Sequence, residues 1–221
     1  MSQNTTSLKH VRLTMFRFQQ FIAPQLPVII AWESPDPATS SVPLLAAMYY
    51  IAQNFTAFDD YLCIQIVYDS PPLEELWDFI MKRVNHKNRQ TSIGLLQAML
   101  ILAAAAAEDV LKPNFEQRQS LLNDANTMAQ ALGLYHDAGV WPISSVEKRL
   151  RKRLSWSLRI VDSWNSAVSG RQSCISEDDW LVQELMLEDF SASEIDAGEA
   201  PVALQMAKLT DILREVTKQL L

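Results

Sequence analysis

Apolar residues recur along this chain at spacings of three and four, helix after helix, and no pair of alternating runs reads as a strand hairpin. Residues 6–21 predict an amphipathic helix ended by Pro24 and Pro27, and residues 32–41, with two prolines, a polar connection. Pro43 opens an apolar helix to about Thr56. Ser70 followed by Pro71 and Pro72 starts another, reaching about Asn85, since proline in a first turn gives up only a donor that had no partner. Residues 92–109 and 114–132 predict a helical hairpin around Lys112 and Pro113, with Asn114 and Gln117 at the second helix's start and Gly133 ending it in a left-handed conformation. Ala103 to Ala107 give the first of the pair a face of low bulk, suited to close helix contact. The same run could serve as an interaction surface.

Residues 145–168 predict a longer helix, about 36 Å at 1.5 Å per residue. Ser144 caps it, and Glu147 three residues on completes a capping box. Leu150, Leu154, Leu158, Val161 and Trp164 follow at four, four, three and three, which sets them on one buried face. Lys148, Arg149, Arg151, Lys152, Arg153 and Arg159 are read as a solvated side, with heads paired to Glu147, Asp162 or acids elsewhere. DNA phosphate or an acidic partner is the functional alternative. Beyond this helix, Arg171 is expected to latch onto a carboxylate of the turn Ser176-Glu177-Asp178-Asp179-Trp180, because a guanidinium fork suits a carboxylate. Recognition of a small anionic effector is the other use for it. Leu209, Leu213, Val216 and Leu220 form an apolar stripe on a final helix, expected either to pack internally or to recruit a protein partner.

Composition agrees with helices and narrows the chemistry. Only five of 221 residues are glycine, and a net charge of −7 with a pI near 5.0 opposes nonspecific nucleic-acid binding by the whole surface. Residues 95–107 carry no charge, yet thirteen residues fall short of the roughly twenty needed to span a bilayer. Lys9, His10, Arg12 and Arg17 interrupt any signal-peptide core. His10, His86 and His136 lack a nucleophile motif, a metal-binding pair or a phosphate loop nearby, so no catalytic residues and no enzyme are expected. Cys63 and Cys174 stand far apart, whereas a binuclear zinc cluster needs six closely spaced thiolates. Neither metal nor any other cofactor is expected in these residues.

Ala131-Leu-Gly-Leu134, Trp141-Pro142, the run Glu147 to Trp156, Asp162-Ser-Trp164, Gly170-Arg171 and Glu177-Asp-Asp-Trp180 appear in that order. The sequence resembles the regulatory middle region of fungal zinc-cluster transcription factors, most of all the activators of urea and γ-aminobutyrate use. Ser155 stands where that family usually has the first of two tryptophans, and Gln172 where it has proline. The resemblance implies an all-α, multi-helix regulatory domain with antiparallel helix pairs over residues 24–221, incomplete at its C-terminal end, after an N-terminal helical extension of residues 1–23. It implies a family signature at Glu147, Arg149, Arg153, Trp156, Asp162, Trp164, Gly170, Arg171, Asp178, Asp179 and Trp180, with structural roles. It also implies transcription regulation in the nucleus through protein contacts, with a second copy or a longer relative as partner and a small effector as a further candidate. Specific DNA binding by this chain alone is not expected, since the zinc belongs to the family's DNA-binding module. A helical scaffold outside transcription is the alternative.

Overall fold

The computed structural model describes residues 13–28, 40–60, 73–85, 90–104, 115–191 and 198–220. Among them the chain is all-α. Helices run over residues 13–21 (α1), Val42–Ala52 (α2), Leu73–Val84 (α3), Ile93–Ala104 (α4), Phe115–Ala131 (α5), Ser145–Ser169 (α6) and Glu199–Leu220 (α7). The described residues contain no strand, only an isolated parallel bridge between His136 and Leu181.

The elements follow local chemistry. Pro43 lies in the first turn of α2, which buries Leu44, Ala47, Met48 and Ile51 and ends in a 3-10 turn over Gln53–Phe58. Helix α4 is apolar on every side and buries Leu95, Leu96, Met99, Leu100, Ile101 and Leu102, as a helix must that sits at the centre of a core. Its one buried polar side chain, Gln97, donates to the Val28 carbonyl at 2.5 Å. Helix α5 ends at Gly133, whose φ of 70° is the left-handed conformation expected there. The starts of α3 and α5, and the connections over 32–39 and 105–114, lie outside the described residues.

Two hydrophobic clusters share α6. The main core gathers α2, α4 and α5 with Leu154, Leu158 and Val161 of α6, and also takes in Met15, Phe18 and Ile22 near α1. Phe21 stacks on Phe55 at 4.9 Å between ring centroids. A second cluster lies where α6 meets α7: Trp156 packs with Val182, Leu185 and Phe190 against Ala200, Ala203 and Ala207. No helix among the described residues is long and apolar enough to cross a membrane.

Trp164 departs from the expected face. It lies at the edge of α6, 39% exposed, and its indole N–H donates to Thr210 Oγ1 at 3.1 Å. Three residues advance a helix by less than a full turn, so two successive steps of three carry the pattern from Leu158 away from the core and toward α7.

Candidate functional site

Helix α6 is the frame for everything the sequence singles out. Ser144 Oγ accepts the Glu147 amide at its start, and Gly170, at a φ of 64°, ends it. The expected capping box is made in that one direction. Glu147 turns its carboxylate along the helix instead, accepting from Arg151 Nε at 3.0 Å.

The basic run is not the solvated side expected of it. Arg153 and Arg159 are buried, only 3% and 6% exposed. Arg153 donates from Nε to the Pro27 carbonyl at 3.2 Å and lies over the Phe190 ring. Arg151 donates to the Leu132 carbonyl at 2.8 Å with its guanidinium over Trp141. Lys152 pairs with Asp189 at 2.8 Å, and Lys148 donates to the Gly139 carbonyl at 2.7 Å. Arg149 is half-buried. A continuous basic run winds around a helix and cannot keep to one side, so its members reach carbonyls and acids on several sides of α6, from Pro27 and Leu132 to Asp189 and Asp211.

The latch at the 176–180 turn exists with other arginines. Arg171 is exposed and makes no ion pair among the described residues. Glu177 is held by Arg159 Nη2, at 3.1 Å to both carboxylate oxygens, and by Arg214 Nε at 2.6 Å. Arg159 also reaches Asp211 at 3.1 Å, with its guanidinium over the rings of Trp156 and Trp180. Arg214 further donates to Ser163 Oγ, Ser173 Oγ and the Ile175 carbonyl at 3.0, 2.8 and 2.8 Å. The clamp thereby ties α6, the 171–180 loop and α7 together. Asp178 and Asp179 are exposed, while Trp180 packs edge-on to both Tyr135 and Trp156.

Asp162 anchors the same loop from beneath. It is 2% exposed, accepts a short hydrogen bond from the Ser173 hydroxyl, and accepts the Cys174 amide at 3.1 Å. Trp156 donates its indole N–H to the Gln183 carbonyl at 2.9 Å. Ser155, the residue at the unusual position, donates to the Leu134 carbonyl at 2.6 Å where α6 crosses the end of α5.

Electrostatics favour a fixed clamp over reactive groups. Burial pushes the Cys174 thiol up and the Asp162 carboxylate adds to the shift, which keeps the sulfur protonated and a poor nucleophile. Burial and the same carboxylate raise Tyr135 to about 12. Burial also pushes Glu177 up, but hydrogen bonds from Arg214 and Arg159, with their charges, outweigh it and hold the carboxyl below its usual 4.5. A carboxyl lowered on folding stabilises the fold above its unfolded pKa, and that contribution is lost as pH falls through the folded value. Thermal stability is therefore expected to drop as pH falls below about 4.5. Glu177→Gln should show a shallower drop over that range; an unchanged acid profile in differential scanning calorimetry would count against the clamp.

On the last helix the candidate partner stripe divides. Leu209 and Val216 are about half exposed and Leu213 is half-buried, while the Leu220 side chain lies outside the described residues. The face turned to α6 is made instead of Ala203, Ala207 and Thr210, all buried. Among the described residues no three His, Cys, Asp or Glu side chains are grouped to hold a metal ion. His136 is exposed, and the neighbouring Asp137 carboxylate accepts the Gly139 and Gln183 amides.

Sequence reasoning missed Arg214, Asp211 and Asp189. Each stands 37 or more residues from its partner on α6 or in the loop, so no local spacing signals it.

Comparison with known proteins sets this arrangement in a family. An uncharacterized transcriptional regulatory protein of Schizosaccharomyces pombe is 28% identical over 182 residues, covering 80% of this chain and 26% of its own length. The transcriptional activator protein DAL81 of Saccharomyces cerevisiae is 24% identical over 188 residues, covering 82% of this chain and 18% of its own. The chain thus spans about a quarter or less of these relatives. No solved structure matches it. The profile of the fungal specific transcription factor domain matches residues 16–221, from α1 through the clamp and α7, and the chain belongs to that family of transcription regulators.

Proposed function

We propose that this chain is a regulatory domain that controls transcription in the nucleus through contacts with other proteins, and that DNA is read by another module. The observation that carries this reading is the fate of the basic run. Arg151, Lys152, Arg153 and Arg159 are engaged inside the domain, and the chain as a whole carries a net charge of −7. Phosphate contacts need free cations arrayed on a surface. The two cysteines of these 221 residues are too few for a zinc cluster.

The resemblance to activators of urea and γ-aminobutyrate use supports nitrogen catabolism as the process under control. The half-exposed Leu209 and Val216 face of α7 suits a second copy or a longer relative as partner.

Two measurements test the reading. Purified chain is expected to show no sequence-dependent DNA binding at nanomolar concentration and physiological salt. Fused to an unrelated DNA-binding module in yeast, the chain is expected to change expression of a reporter under that module's site. A fusion that folds, enters the nucleus and leaves the reporter untouched would defeat the proposal.

A further inference from the structure

Helix α7 carries a second face beyond the one that holds it to the domain. Ala203, Ala207 and Thr210 are buried on the side of α6. About half a turn around the helix, Val202, Gln205, Leu209, Ile212, Val216 and Gln219 follow at alternating steps of three and four, all of them exposed. That alternation is the seam of a two-helix coiled coil. Val202, Leu209, Ile212 and Val216 keep between 37% and 61% of their surface in water, because packing on α6 leaves this side uncovered. Lys208 and Glu215 flank the seam on one side, and the half-buried Met206 and Leu213 on the other. Both charges are exposed and form no ion pair among the described residues; Glu215 accepts from Gln219 Nε2 at 3.3 Å.

The charges decide what fits. Two copies of α7 laid antiparallel, with a two-fold axis at the level of residues 210 and 211, set Leu209 on the partner's Ile212 at the centre. Val216 and Val202 then meet the partner's Gln205 and Gln219 in the outer layers, where the amides reach water. Lys208 meets the partner's Glu215, Met206 meets the partner's Leu213, and symmetry makes every contact twice. A parallel pair would set Lys208 beside the partner's Leu213 and leave both charges unpaired. We propose that the outer face of α7 binds a second copy of this chain in that antiparallel arrangement. The choice of a second copy rests on reading α7 as a partner surface. A helix of 22 residues is about 33 Å long and about 10 Å wide, so each copy covers a few hundred Å², and the pair is a weak, reversible one.

Sedimentation equilibrium of the full chain over roughly 1 to 300 µM, the range suited to a small interface, is expected to show a monomer–dimer equilibrium. Ile212→Glu, at an exposed position, should leave a folded monomer by circular dichroism. Lys208→Glu and Glu215→Lys should each weaken self-association about five- to tenfold, since each brings like charges together twice. Mixed in equal amounts, these two variants should pair with each other as tightly as the wild type does with itself, because both flanking contacts become attractive again. Should Ile212→Glu fail to fold, the mixture decides. A wild type that stays monomeric throughout overturns the proposal. So do undiminished dimers of folded Ile212→Glu, or charge variants that associate no better mixed than alone. The reporter experiment is read separately, so a monomeric chain that still changes expression would remove the pair and leave the regulatory role.

Discussion

Leu154→Ala is expected to lower the unfolding free energy by about 2 to 5 kcal/mol, and Trp164→Ala by clearly less, although tryptophan is the larger side chain. Leu154 has no exposed surface and lies in the main core with Leu158 and Val161, where α6 meets α4 and α5. Truncation there removes transfer free energy and leaves a space that rigid neighbours fill only in part. Trp164 already meets solvent over 39% of its surface and keeps one hydrogen bond, to Thr210. Its loss opens toward water and α7. Urea denaturation of the two variants distinguishes them: equal midpoints at equal slopes would contradict the placement of both residues.

Arg159→Ala should be the next most damaging change, at about 2 to 3 kcal/mol. Breaking a buried ion pair costs about 3 to 5 kcal/mol when the abandoned charge stays buried. Here Glu177 and Asp211 are 51% and 46% exposed, so they regain water and the loss falls to the lower end of that range or below it. The guanidinium also leaves the faces of Trp156 and Trp180, so near-ultraviolet circular dichroism should change with stability. Arg159→Lys should be intermediate, keeping the charge and losing the planar fork. Arg171→Ala, at an exposed residue, should stay within about 0.5 kcal/mol. Similar losses for Arg159→Ala and Arg171→Ala would remove the distinction between the observed clamp and the expected one.

The contrast between those two arginines shows what a single sequence reveals. Helical periodicity at Leu154, Leu158 and Val161, the Ser144 cap and the left-handed end at Gly133 are written within a few residues of where they act. Local rules therefore found them. The uniformly apolar run in α4 is local in the same sense, since a helix apolar on every side is a buried one wherever it packs. The basic run misled because spacing along a helix fixes direction but does not say what waits there. Arg153 is buried where the Pro27 carbonyl, 126 residues away, accepts a hydrogen bond from its Nε. Glu177 chooses Arg159 and Arg214 over Arg171, six residues off, because α7 delivers Arg214 to the turn. Such tertiary choices leave no local trace.

The second cluster carries a consequence for how the domain opens. Helix α7 meets α6 through Ala200, Ala203 and Ala207, which bring little apolar area, and through side-chain contacts such as Arg159 to Asp211, Trp164 to Thr210 and Arg214 to Ser163. Alanine burial contributes far less than the leucines and isoleucines that hold α4 in place. Amide protons of α7 should accordingly exchange with solvent through a sub-global opening that leaves α2, α4 and α5 protected, and added salt should lower the free energy of that opening more than it lowers that of the leucine core. That outcome would make α7 a separable foldon, held by charge and a small apolar cluster and released without unfolding the rest.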